Sequence, residues 1–308
     1  MSRIHDALKK AEEEKTALAG AVVTSSEPEN VREEAPERRP VFGSGSGGGN
    51  GTSVPEILRF NELKDKCAHP RWKLEANANV FVARGRSSLA AEQFRTLRSR
   101  LYQVRNAKRL KTVMVTSSVS GEGKTFVVSN LAQSLVRQKD RRVLIIDADL
   151  RAPRQHAALG APNAPGLSDF LSGAADVLSV IQFGPIENLC LIPGGSAESA
   201  REPSDLLSGT EFKRLLDLVT PVFDWILIDT PPVIPVADPT MIAALCDGVL
   251  VVVRANSTDF QLAQKACLEF QEKNLIGVVL NRVEEIPGYD NYPYAYGVEK
   301  SAGLNVTD

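Results

Sequence analysis

From about residue 87 the chain alternates short apolar runs with amphipathic segments. Thr112–Thr116, Val143–Ile146, Leu189–Ile192, Trp225–Ile228, Val249–Val253 and Ile276–Leu280 are rich in Val, Ile and Leu. Runs this short and this continuously apolar predict strands buried on both faces. Between them lie segments with apolar residues at helical spacing. These predict helices over Ser88–Gln103, from the turn near residue 123 to about Gln138, and over Ser204–Val219, Pro239–Leu245 and Phe260–Lys273. Strand and helix in alternation predict an α/β fold, a mostly parallel sheet with helices on both faces.

The first 86 residues lack this rhythm. Residues 2–18 predict a charged helix with a thin stripe of Ile4, Ala7, Leu8 and Ala11, either a solvated helix or one that docks on another protein. Residues 20–55 are dominated by Glu, Pro, Arg and Ser and then by Gly and Ser, too polar to offset their chain entropy, and predict a disordered linker. Residues 56–86 predict a short helix and a strand at Val80–Ala83. The expected organisation is a charged helix over 1–19, a linker over 20–55, a lead-in over 56–86, an α/β domain over 87–284 and a tail over 285–308.

Composition narrows the classes. A formal net charge of −2 gives no electrostatic footprint for nucleic acid. Four scattered cysteines, no Cys-x-x-Cys and three histidines argue against a zinc site and for reduced, buried thiols. No apolar run approaches the roughly 18–20 residues of a membrane span, and the N-terminus lacks the apolar core of a signal peptide. A cytoplasmic protein is expected, recruited to the inner face of a membrane only through a partner.

The chemistry begins at residues 115–125, Val-Thr-Ser-Ser-Val-Ser-Gly-Glu-Gly-Lys-Thr, between a predicted strand and a predicted helix. Ser118 stands at the first Gly position of G-x-x-x-x-G-K-[ST]. Ser120, Gly121, Glu122 and Gly123 form the turn. Lys124, Thr125 and Phe126 open the helix. Glycines let backbone N–H groups converge on phosphate oxygens, and the helix presents its positive end there. Lys124 is expected to reach the β- and γ-phosphates, and the Thr125 hydroxyl to ligate Mg²⁺. Asp147 and Asp149 close one strand and Asp229 another. In an open α/β sheet they share the edge that carries Lys124, where they can hold a metal or its waters. A strand-end Asp can equally cap a helix.

Taken together these segments resemble the bacterial tyrosine kinases (BY-kinases) of capsule and exopolysaccharide synthesis, the CpsD/CapB family. Ile145-Ile-Asp-Ala-Asp-Leu-Arg-Ala-Pro-Arg154, Ile228-Asp-Thr-Pro-Pro232, Gly166–Gly173, Pro203–Leu207 and Gly277–Arg282 carry the likeness beside the loop, over about residues 80–300. The resemblance implies a P-loop NTPase-type fold, ATP and Mg²⁺. It makes 118–125 the Walker A loop, Asp147 and Asp149 the Walker A′ motif and Asp229 Walker B. It implies catalytic roles for Lys124, Asp147, Asp149 and Asp229, with Thr125, Asp147 and Asp229 at the metal and Asp147 as base. Glu92, Arg95 and Arg98 match the family's E-x-x-R-x-x-R helix and imply ring-like self-association. A transmembrane polysaccharide co-polymerase and a tyrosine phosphatase are the further partners implied. Two departures stand out, Ser120 where the family often has Pro and a tail sparser in tyrosine.

That tail is the second chemical feature. Four of the five tyrosines, Tyr289, Tyr292, Tyr294 and Tyr296, fall within eight positions. They are the expected phosphate acceptors. Eleven residues separate Val283 from Tyr294, an extended reach of about 35–40 Å, enough for the chain's own site or a neighbour's. Asn281 and Arg282, at the end of the last predicted strand, are candidates for a base contact. Arg151 is expected either to steady a phosphate or to pair with an acidic neighbour. The competing readings are a ParA/MinD-like ATPase switch and a catalytically weak regulatory subunit of an export complex. Val119 stands where the switch ATPases carry a signature Lys, and no His-Arg-Asp or Asp-Phe-Gly occurs.

Overall fold

The six apolar runs predicted between residues 112 and 280 become strands of a single seven-stranded sheet. The computed structural model describes residues 58–82, 89–196, 202–272 and 274–283. The strands are β1 (Thr112–Ser117), β2 (Val143–Asp147), β3 (Gln182–Phe183), β4 (Leu189–Ile192), β5 (Trp225–Asp229), β6 (Gly248–Arg254) and β7 (Leu275–Asn281). Their order across the sheet is β3-β4-β2-β5-β1-β6-β7. All neighbours run parallel except β3, which pairs antiparallel with β4 at one edge. The two residues of β3 are too few to show a periodicity, so that strand was not predictable from pattern.

Alternation along the strands sorts the apolar side chains into two cores. Val113, Val115, Ile145 and Leu227 face α2 (Leu89–Ala107) and α3 (Lys124–Val136). Met114, Leu144, Ile146, Ile226 and Ile228 face α8 (Thr210–Val219), α9 (Asp238–Ala243) and α10 (Phe260–Phe270). Both faces are covered, which is why β1, β2, β4 and β5 are buried at every position.

The helices depart from the prediction in instructive ways. The expected Ser204–Val219 helix is two, α7 (Pro203–Ser208) and α8, because Gly209 between them is extended (φ −68, ψ 167). The stretch after β2, expected as turns, holds α4 (Gln155–Leu159), α5 (Leu167–Leu171) and α6 (Val177–Val180), each shorter than a readable helical period. The last helix stops at Phe270 rather than Lys273.

The lead-in is part of the folded body. Its helix α1 (Phe60–Lys66) buries Phe60 and Leu63 in a core, and a Cβ on Gly184 would collide with the Trp72 ring. Val80–Val82 is a turn, not the expected strand. Its backbone bonds to helix side chains instead of a strand: Val80 N–H donates to Asn130 Oδ1 (2.8 Å), and Asn130 Nδ2 donates to Ala78 O (2.9 Å). Gln133 Nε2 donates to Asn79 Oδ1 (2.7 Å).

The predicted helix over 2–18, the linker over 20–55 and the tail tyrosines lie outside the described residues. Among the described residues no helix is long and apolar enough to cross a membrane. All four cysteines are free thiols, three of them buried.

Candidate nucleotide site

Parallel neighbours place the C-terminal ends of β1, β2, β5, β6 and β7 on one rim. Residue Asp147 is the register partner of Asp229, and Asp229 of Val115. Two carboxylates therefore stand side by side on adjacent strands, roughly 5 Å apart at the backbone, next to the strand that leads into the phosphate loop.

That loop turns through two left-handed glycines, Gly121 (φ +84) and Gly123 (φ +96). A side chain at Gly123 would also strike the Asn281 amide. Gly123 is the residue before the first turn of α3, and it offers no side-chain cap. The N–H groups of that turn have no partner within the helix, and they point the positive helix end at the rim. Ser120 and Gly121 are exposed at the loop tip. Ser118 is buried, with its Oγ unpartnered among the described residues.

Lys124 is buried, and its charge acts on both Asp149 and Asp229. The Thr125 hydroxyl donates to Asp229 Oδ2 (2.7 Å). Gln155 Nε2 donates to the same oxygen (2.9 Å). Asp229 Oδ1 is buried and has no hydrogen-bond partner among the described residues. Burial pushes the Asp229 carboxyl up to about 6, against the opposing pull of Lys124. Asp147 is held well above the usual carboxylate range, first by burial and then by the neighbouring Asp229 charge. Its Oδ2 accepts the backbone N–H groups of Arg154 (2.9 Å) and Gln155 (2.8 Å), and its Oδ1 that of Asp149 (3.3 Å). Asp147 thus anchors the N-terminus of α4 from the end of β2, although the residue at the cap position itself, Arg154, makes no side-chain cap. Asp149 is half-buried at the rim and is also raised by burial.

Other predicted residues take different places. The Glu122 carboxylate is buried and engaged within the protein, accepting Val119 N–H (2.9 Å) and the Thr258 hydroxyl. Asn281 Nδ2 donates to Glu122 O (2.8 Å), tying the end of β7 to the loop. Arg282 is exposed in a left-handed conformation (φ +55). Phe126 packs its ring against Phe94 (5.9 Å between centroids). Arg151 pairs with buried Asp238 (2.9 Å) and donates to Ser204 (2.8 Å), the acidic-neighbour alternative. On α2, Glu92 and Arg95 form an i,i+3 ion pair, while Arg98 donates to the Ser134 carbonyl (2.7 Å). Gln155 carried no sequence signal, since its partners lie 30 and 74 residues away.

A divalent cation fits this arrangement. A buried carboxylate oxygen without a donor, beside a neutral hydroxyl, offers two hard oxygen ligands, one of them anionic. Among the described residues no three His, Cys, Asp or Glu side chains cluster as a metal site. Phosphate and water oxygens would complete the shell, the usual mode for Mg²⁺.

Comparison with known proteins agrees with the geometry. The CobQ/CobB/MinD/ParA nucleotide binding domain family matches residues 113–291. Tyrosine-protein kinase YwqD of Bacillus subtilis is 31% identical over 223 residues, 72% of this chain and 92% of YwqD. Tyrosine-protein kinase wzc of Salmonella typhi is 33% identical over 211 residues, 68% of this chain but only 29% of wzc. The kinase domain of Escherichia coli tyrosine kinase ETK superposes with a TM-score of 0.64 at 27% identity, covering 79% of this chain and 92% of that domain.

Proposed function

The chain belongs to the bacterial tyrosine-protein kinases, within the CobQ/CobB/MinD/ParA nucleotide-binding family, and on that premise we propose that it is an ATP-dependent autokinase of its own tail. The acceptors are Tyr289, Tyr292, Tyr294 and Tyr296. The observation that carries this reading is the end of β7. Asn281 is bonded to the phosphate loop at Glu122, and the tail begins a few residues later. Donor and acceptor segments therefore leave the same rim.

A phenol has a pKa of about 10 and is a poor nucleophile at neutral pH. Positioning and charge neutralisation do most of the work in phosphoryl transfer. The phenol oxygen bonds to the γ-phosphorus as the bond to the bridging oxygen breaks, ADP departs, and the phenol proton passes to Asp147. Asp149, more accessible at the same strand end, lines the approach. Lys124 and the N–H groups of the α3 first turn hold the charge on the transferring group. Ser118 and residues 120–126 form the cradle, with Asn281 and Arg282 on the base side. Thr125 and Asp229, with Asp147 behind them, would hold Mg²⁺, which supplies further neutralisation of phosphate charge.

We place the protein in the cytoplasm, recruited to the membrane by a polysaccharide co-polymerase and reset by a tyrosine phosphatase, in control of exopolysaccharide or capsule synthesis. Glu92, Arg95 and Arg98 lie on the face of α2 that would build a ring-like oligomer, with Arg98 shaping that face from its seat on Ser134. Incubation with γ-labelled ATP and Mg²⁺ tests the reading. Label on tyrosine supports it. Phosphate release with no protein label would instead make the chain an ATPase switch.

A further inference from the structure

Gln155 opens α4, eight positions past Asp147, and is fully buried. Its side-chain nitrogen donates to Asp229 Oδ2 (2.9 Å) and to the Thr125 carbonyl (3.2 Å). Its backbone N–H donates to Asp147 Oδ2 (2.8 Å). One residue therefore touches all three side chains or backbones named above for the cation, and these come from α3, β2 and β5. Both neighbours of the amide nitrogen are acceptors only, which fixes the orientation of the amide.

The consequence falls on Asp229. Its Oδ2 receives two donors, the Thr125 hydroxyl and the Gln155 amide. Its Oδ1 receives none and is buried. A carboxylate gripped through one oxygen cannot swing, so the other oxygen is aimed at a fixed point. An anionic oxygen left bare in a buried place is costly unless a cation meets it there. As packing alone Gln155 is a poor choice. Its own Oε1 is also buried without a partner among the described residues, and an apolar side chain of equal size would avoid that.

We propose that Gln155 is a positioning residue that orients the Asp229 carboxylate toward the divalent cation of the nucleotide complex. The proposal rests on the reading of Asp229 as the metal-holding carboxylate. Without the Gln155 donor, the Thr125 hydroxyl alone holds Oδ2 and the carboxylate gains freedom to rotate. The bond to the Thr125 carbonyl goes with that donor, while Lys124 and the loop N–H groups, to which the Gln155 amide makes no bond, keep their places.

The test uses the full chain and a fluorescent ADP analogue, titrated in EDTA and then against Mg²⁺. Q155M removes the donor at similar length, and Q155L makes the same comparison if the Met variant does not fold. Partners that orient a metal ligand typically govern 10–100-fold in metal affinity, so the half-saturating Mg²⁺ concentration is expected to rise by about tenfold or more. Metal-free affinity for the analogue should stay near wild type. An unchanged Mg²⁺ requirement would overturn the inference. So would an equal fall of the metal-free and metal-loaded affinities, which is what loss of packing alone produces. Asp229→Asn run in parallel separates the two readings. If that variant keeps the wild-type Mg²⁺ requirement, the assignment of Asp229 itself fails. If it raises the half-saturating Mg²⁺ concentration while the Gln155 variants do not, only the role of Gln155 fails.

Discussion

Asp229 concentrates the electrostatics of the site in one side chain. Burial raises its folded carboxyl to about 6 from the ordinary 3.8, so between those values the folded state holds a proton that the unfolded state has released. Stability from this group is therefore greatest at low pH and falls as pH rises through that window. Asp147, raised for the same reason, acts in the same direction. Asp229→Asn removes the buried charge while preserving shape. Without nucleotide, the variant is expected to be more stable than wild type at pH 7, by about 1–3 kcal/mol, with the gap closing toward pH 4. Urea unfolding at both pH values measures it; a variant less stable at pH 7 contradicts the assignment. Lys124→Ala gives the complementary result, loss of tyrosine labelling by at least about 100-fold with the fold intact by circular dichroism. Lys124, Thr125 and the three aspartates were legible in the sequence because each needs only a strand end and a loop to be placed. Gln155 and the buried Glu122 carboxylate were not. Their partners are set by which strands lie side by side, and the order β2-β5-β1-β6 is not written in local pattern.

At the scale of elements, α3 couples the phosphate loop to the rest of the molecule. One side packs Leu131 and Leu135 into the core; the other holds the lead-in through Asn130 and Gln133. Leu131→Ala is expected to cost about 2–5 kcal/mol of global stability. Asn130→Ala acts differently, leaving the Val80 N–H and Ala78 carbonyl without their partner at a cost of about 1–3 kcal/mol. Because those groups belong to the lead-in, limited proteolysis should cut the variant within residues 71–82 well before the sheet is attacked. Equal resistance in wild type and variant would show that the lead-in is held by other contacts. Five of the six apolar strands were readable from pattern because burial on both faces demands continuous hydrophobic runs; β7 shows such a run too, yet it is only partly buried, with Val278 and Leu280 exposed, against the expectation of cover on both faces. The two-residue β3, the short helices α4 to α6 and the break at Gly209 were not readable, because each is too short for a period to declare itself.

For the whole molecule, the sheet order brings the end of the last strand beside the loop that follows the first. The chain thus reaches the nucleotide rim at Asn281, although 159 residues separate it from Glu122. Tyr→Phe at positions 289, 292, 294 and 296 together should remove most phosphate incorporation and leave affinity for nucleotide unchanged. Mixing a Lys124→Ala chain with the four-Phe chain asks whether one molecule serves another; label on the former shows transfer between copies. The most direct test of the account is mass spectrometry of the purified chain before and after incubation with ATP and Mg²⁺. Phosphate on the tail tyrosines, appearing with ATP and absent in Lys124→Ala, is the result predicted. ATP consumed while every tail tyrosine stays unmodified would contradict it.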